Sequence, residues 1–209
     1  MAVDRKRPYR LKERARKQEE TRRRITEATV ELHASVGAAR TTISAIAERA
    51  GVERLTVYRH FPDEEGLLAA CSAHWIAAHP PPDPARWSAI GDPSRRLRVG
   101  LAELYAWYGD NERMMANNLH DAAELPVLHH EMAGYRGFLH YAQDVLAGAR
   151  RAQRVRTAIA HALDFETWRG LVRREGCTDE EAVDLMVLLV RAATETRRPA
   201  GRSAGSARG

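Results

Sequence analysis

Cysteine, lysine and long apolar runs are scarce in this 209-residue sequence, and each scarcity excludes something. Cys71 and Cys177 are the only two cysteines and neither belongs to a C-x-x-C pair. A disulfide framework is therefore excluded, and two reduced thiols are expected. No stretch reaches the roughly 18 apolar residues of a membrane span. The opening Met1-Ala-Val-Asp-Arg-Lys-Arg is positively charged but has no apolar segment behind it, so it is not a secretory signal. A cytoplasmic protein with no membrane partner is expected. Period-two alternation is missing, as are β-branched clusters bounded by turns, which argues against strands. There is no phosphate-cradling glycine loop, no nucleophile elbow and no acid pair with an obvious pocket, so an enzyme is not expected. The histidines, notably His120, His129, His130 and His140, lack an H-x3-H pair supported by cysteine or carboxylate. Neither a metal nor a cofactor is expected.

What is present is an uneven charge. Residues 1–60 carry 15 Lys/Arg against 8 Asp/Glu, and residues 61–209 carry 18 against 20. All three lysines (Lys6, Lys12, Lys17) fall in the first 17 residues. The positive excess thus lies in the first third, where it suits either a polyanionic partner or a solvated tail.

Helical periodicity runs from end to end, and the fold class expected is all-α. A first helix over about 18–36 carries Ile25, Ala28, Thr29, Leu32 and Val36 on one stripe and stops at Gly37. The charged stretch Arg5 to Lys17 before it reads as a flexible arm or a helical extension. A short helix follows Thr41-Thr42, where a hydroxyl can cap it, with Ile43, Ile46, Ala47 and Ala50 as its apolar face. Gly51 breaks it, and a second short helix spans about 53–60. Asp63 then caps a helix over about 63–78 that buries Leu67, Leu68, Cys71 and Trp75. The run His79-Pro-Pro-Pro-Asp-Pro84 cannot be helix interior and reads as a stiff connector. Asp92-Pro93 opens a helix bearing Leu97, Leu101, Leu104, Tyr105 and Tyr108. Further helices are expected over about 112–120, 127–148 and 154–173. A capping box, Thr178-Asp-Glu-Glu181, opens the last, to about Arg197.

Residues 42–61 have the plan of two short helices joined at a glycine turn, the helix-turn-helix. Val52 and Val57 would plug the angle between them, leaving Arg54, Thr56, Tyr58, Arg59 and His60 outward on a helix short enough for a major groove. The run Thr42-x3-Ile46-Ala47-x2-Ala50-Gly51-Val52-x3-Thr56-Val57-Tyr58-x-His60-Phe61-Pro62-x2-Glu65-x-Leu67 resembles the signature of the TetR family of transcriptional regulators, over about residues 20–70. The resemblance implies an N-terminal three-helix DNA-binding head followed by a helical effector-binding and dimerisation body. It implies residues 53–60 as the recognition helix. Thr42, Tyr58 and His60 would bond phosphates, and Thr56 would pack against the DNA backbone. Arg54 is expected at a base edge, where its fork suits guanine. Arg59 is expected either at a base or at a phosphate. Two positions depart from the family's habit. Glu53 stands where Ser, Thr or Gln is usual, and would have to read cytosine or pair with an arginine. Glu64 stands where a phosphate-binding lysine is common. The basic arm, with Arg5, Lys6, Arg7, Arg10 and Lys12, is expected to supply compensating contacts.

The domains expected are a basic arm and head over 1–61, a body over 62–197 and a disordered tail over 198–209. In the last helix Val183, Leu185, Met186, Val187, Leu188, Leu189 and Val190 leave almost no polar face, so one side needs a partner, and a homodimer is expected. Tyr105, Tyr108, Met114, Met115, His120, Tyr135, Phe138 and Trp168 are candidates for a pocket holding an unidentified small-molecule effector, although the same residues at this spacing also serve as core. The partners implied are double-stranded operator DNA, a second copy of the chain and that effector. The function implied is repression at a palindromic operator, released by the effector. The competing reading is a helical ligand-binding or interaction protein with a degraded DNA head.

Overall fold

A computed structural model describes residues 6–150 and 152–195, apart from the side chains of 6–8, 130 and 131. The described residues are helical, with no strand among them. Two compact units emerge, one formed by residues 1–82 with 107–138 and the other by 83–106 with 139–209.

The first unit begins with α1 (Lys6–Val36). The charged N-terminal stretch is thus the helical extension, held by ion pairs one turn apart such as Arg16–Glu13 at 2.9 Å. The stripe buries Ile25, Ala28 and Thr29. Val36, at its end, is exposed. Gly37 stops the helix at φ 90°, a conformation that favours glycine. α2 (Ile43–Ala50) is capped by the Thr42 hydroxyl, which accepts from the Ala45 amide at 3.1 Å, and ends at Gly51 with φ 63°. α3 (Arg54–His60) follows at once. Asp63 then accepts from the Gly66 amide at 2.7 Å to cap α4 (Glu64–Ala78). Ile25, Ala28, Ile46, Ala47, Ala50, Val57, Phe61 and Leu67 form one core beneath α2 and α3. Leu68 and Cys71 of α4 are buried as expected, whereas Trp75 is only half-buried.

The second unit starts with α5 (Pro84–Ser88), a helix the sequence reading passed over. Asp83 caps it and Pro84 opens it, the same pairing read correctly at Asp92-Pro93. Trp87 is buried there and donates to Glu103 at 2.7 Å. Gly100 packs so closely that a Cβ would lie 2.9 Å from Leu146 and 3.2 Å from Trp87.

α6 (Pro93–Asp121) is one helix, which corrects the expectation of a separate helix over 112–120. Gly109 did not break it, because the buried stripe Leu97, Leu101, Leu104, Tyr108, Asn111 and Met115 continues through it without a change of period. α7 (Pro126–Ala147) follows. The helix expected over 154–173 is divided into α8 (Gln153–Leu163) and α9 (Phe165–Arg169), with a π-helical turn at Gly170–Arg174. The cause is Asp164, whose backbone is extended and whose side chain caps α9 by accepting from the Thr167 amide at 3.1 Å. α10 (Asp179–Thr194) opens with the expected capping box. Glu181 accepts from the Thr178 amide at 2.8 Å, and Thr178 accepts from the Glu181 amide at 3.2 Å. These hydrogen bonds hold the Glu181 carboxyl below its ordinary pKa. Arg197 and the tail over 198–209 lie outside the described residues.

Candidate nucleic-acid interface and ligand cavity

α3 is seven residues long and turns one side chain fully inward, the buried Val57. Arg54, Leu55, Tyr58 and Arg59 are exposed, while Thr56 and His60 are half-buried. α1 fixes this helix from behind. Arg22 donates to the His60 carbonyl at 2.8 Å and lays its guanidinium 4.0 Å over the Phe61 ring. Arg24 donates to the Ala50 carbonyl and, at 3.1 Å, to that of Gly51, holding the turn between the two short helices. Arg49 pairs with Glu31 at 2.8 Å and so ties α2 to α1. The outward face of α3 is therefore presented by a rigid platform.

Thr42 is exposed and its oxygen already accepts a backbone amide, which leaves its own proton free for an acceptor such as a phosphate. Arg59 reaches back to Thr56 at 3.0 Å, so these two act as a pair. Burial, and then the Arg22 and Arg59 charges, lower the His60 pKa, which keeps the imidazole neutral at pH 7 with one N–H to donate. Glu53 occupies the N-cap of α3, makes no side-chain cap bond, and carries no ion pair among the described residues.

Sequence reasoning missed two features of this face. One is Leu55, 72% exposed on the presented helix with nothing covering it. The other is an open groove between α1 and α3, lined by Arg14, Lys17, Arg22, Arg59 and His60 with Glu19 the one acid. Arg14 and Lys17 fall there because α1 starts at Lys6, and the helical period turns them toward α3. Of the arm residues named from sequence, Arg10 and Lys12 lie on α1, whereas Arg5 and the side chains of Lys6 and Arg7 lie outside the described residues.

A cavity of about 320 Å³ lies in the same unit, between α1, α4, α6 and α7. Leu68, Trp75, Ile76, Trp107, Met114, Leu128, Met132, Tyr135 and Phe138 supply most of its wall, with His33, Cys71, Ser72 and Asn118 as the polar members. The Nδ1 of His33 lies 3.5 Å from the Cys71 sulfur, and burial pushes the His33 pKa down to about 4, against the opposing charge of Asp121. α6 grips the end of α1 beside the cavity. Asn117 donates to the His33 and Ala34 carbonyls at 2.9 and 3.1 Å, and Asp121 accepts from the Ala39 amide at 3.0 Å.

The eight pocket candidates therefore separate. Met114, Tyr135 and Phe138 line the cavity. The Tyr108 hydroxyl is 2.9 Å from that of Tyr135, one step behind the wall. Met115 is buried and His120 is exposed, and neither lines it. Tyr105 and Trp168 lie in the core of the other unit. Tyr105 donates to the Ala162 carbonyl at 2.8 Å, and the Trp168 indole donates to Asp179 at 2.8 Å.

In that second unit α10 buries Ala182, Val183, Met186 and Val190. Leu185, Leu188 and Leu189 on its other side are 45%, 59% and 40% exposed. Among the described residues no helix is long and apolar enough to cross a membrane.

Comparison with known proteins follows this division. Residues 25–71, from the middle of α1 into α4, match the family described as bacterial regulatory proteins, tetR family. No curated protein matches the chain. Solved structures match over most of its length. A transcriptional regulator from Rhodococcus sp. RHA1 is 20% identical with a TM-score of 0.61, covering 84% of this chain and 99% of that one. A TetR-like transcriptional regulator from the same organism is 17% identical with a TM-score of 0.61, covering 83% and 95%. AibR in complex with isovaleryl coenzyme A and operator DNA is 20% identical with a TM-score of 0.58, covering 80% and 96%. At such identities these likenesses establish the fold. Residues 25–71 thus form the N-terminal domain of the tetR family of bacterial regulatory proteins, and the helices that follow complete the all-α fold of TetR-like regulators.

Proposed function

We propose that this protein is a homodimeric transcriptional repressor that reads a palindromic operator through α3 and lets go when a small molecule fills the cavity beside α4. The observation that carries the reading is the solvent face of α3. Arg54, Leu55, Tyr58 and Arg59 stand exposed on a helix that α1 and α2 hold rigid, which suits entry into a major groove. Thr42, Thr56, Tyr58 and His60 supply phosphate and backbone contacts, and the groove of Arg14, Lys17 and Arg22 extends the cationic track. Glu53 is placed at the head of α3 to accept from cytosine.

Release follows from linkage. A ligand need only prefer the state in which the heads are set wrongly for the operator. The cavity touches α4 at Leu68, Cys71, Ser72 and Trp75 and touches α1 at His33, and these two helices carry α2 and α3. The head, 1–61, is the DNA reader and the body, 62–197, holds effector and dimer surfaces. The exposed Leu185, Leu188 and Leu189 form that dimer surface, and the unit acts in the cytoplasm without catalysis.

One observation favours a second reading, a ligand-binding helical protein that no longer reads DNA. Glu53 and Glu64 are both exposed where they would face phosphate. Selection of bound sequences from a random duplex pool, followed by salt titration of the winner, decides between them. The repressor reading expects a palindromic winner and an affinity falling steeply with salt, since each phosphate contact adds about 0.9 to the logarithmic slope. Binding without any enriched sequence, on ligand-stripped protein, would establish the second reading instead.

A further inference from the structure

The cavity has a chemical bias that narrows what can enter it. Its walls are aromatic and aliphatic, and no Lys, Arg, Asp or Glu lines it among the described residues. His33, the one basic group at its edge, is held neutral by burial. An anion brought here would shed its hydration and meet no counter-charge, which is strongly unfavourable. A cation fares little better. No carboxylate answers it, and the nearest large π-face, that of Trp75, is already stacked on His79 at 5.4 Å. The volume of about 320 Å³ sits at the lower end of the roughly 300–1,000 Å³ typical of small-molecule sites. A small number of polar atoms remain to orient a guest: the Ser72 hydroxyl, the Asn118 carboxamide and the Tyr135 hydroxyl, which shares a hydrogen bond with Tyr108.

We propose that the cavity takes a compact, uncharged and mainly apolar ligand, fixed by one or two hydrogen bonds to Ser72, Asn118 or Tyr135, and rejects carboxylates, phosphates and coenzyme A thioesters. This rests on the reading of the cavity as the effector site. It departs from what the AibR complex holds, since a coenzyme A thioester is polyanionic.

The test uses two fluorescent probes that share one aromatic skeleton and differ by a charge, N-phenylnaphthylamine and anilinonaphthalene sulfonate, on the full chain. The neutral probe is expected to bind once per chain, at least tenfold more tightly than the sulfonate, with quenching of tryptophan emission from Trp75 and Trp107. Gly134 lines the cavity and sits in open space on α7, so larger side chains there leave the fold intact. Gly134→Leu should weaken the neutral probe about tenfold, and Gly134→Arg should raise the affinity for the sulfonate. Equal affinity for both probes, no binding of either, or neutral binding untouched by Gly134→Leu would overturn the proposal. Displacement of a selected duplex is read in the same experiment and separates the two claims. Neutral binding that leaves the duplex bound would sink the regulatory reading and keep the ligand class. Release by the sulfonate at equal concentration would do the reverse.

Discussion

Arg54 and Leu55 stand side by side in the first turn of α3, both exposed, and they offer DNA opposite kinds of contact. Arginine presents a fork of donors that matches guanine O6 and N7, while an uncovered leucine matches only the thymine methyl group. Each should specify one position per half-site. Arg54→Ala is expected to relax the preference at a guanine by about 1–3 kcal/mol, the range for a bidentate pair. Leu55→Ala should relax a different position, a thymine, by less. Sequence selection repeated with each variant checks this, and a uniform loss across all sequences would assign the arginine to phosphate. Leu55 was invisible to the sequence reading for a simple reason. An apolar residue in a short amphipathic helix is counted toward the core until the structure shows that Val57 alone fills that role.

Among the elements, the junction of α1, α4 and α6 is the one whose behaviour depends on pH. His33 is buried there with a pKa of about 4 against an ordinary 6.5. The unfolded chain therefore takes up its proton first as pH falls. The stability held above pH 6.5 drains away between 6.5 and about 4, by on the order of 3 kcal/mol. His33→Asn keeps a polar group near Cys71 but cannot titrate, so its urea-unfolding free energy should fall less over that interval. Parallel pH profiles for the two proteins would contradict the assignment. Most elements were legible from sequence because caps and stripes coincide. Thr42, Asp63, Asp92 and Thr178 all cap the helices expected of them. The errors have particular causes. Gly109 was given the weight of a breaker although an unbroken buried stripe crosses it, and Asp164 was overlooked as a cap inside an apparently continuous pattern. The cavity was legible only in part. Met114, Tyr135 and Phe138 were read as lining, but helical spacing alone could not separate them from Tyr105 and Trp168, whose polar atoms are spent on core hydrogen bonds.

At the scale of the whole molecule, the account requires two copies. α10 leaves Leu185, Leu188 and Leu189 uncovered while its opposite side is buried, and leucines in that number need a partner surface. Leu188→Glu would place a charge at the centre of that patch. Light scattering should then report the mass of one chain instead of two, with the helical content unchanged, and an unaltered mass would remove α10 from the interface. Dimerisation also sets how the operator is read, because two α3 helices related by a two-fold axis meet successive major grooves. Hydroxyl-radical footprinting on the selected duplex tests this most directly. The account predicts protected segments related by a dyad, lying on one face of the DNA and centred about 34–36 Å apart or a multiple of it. A single protected segment, or even protection along the whole duplex, would contradict it.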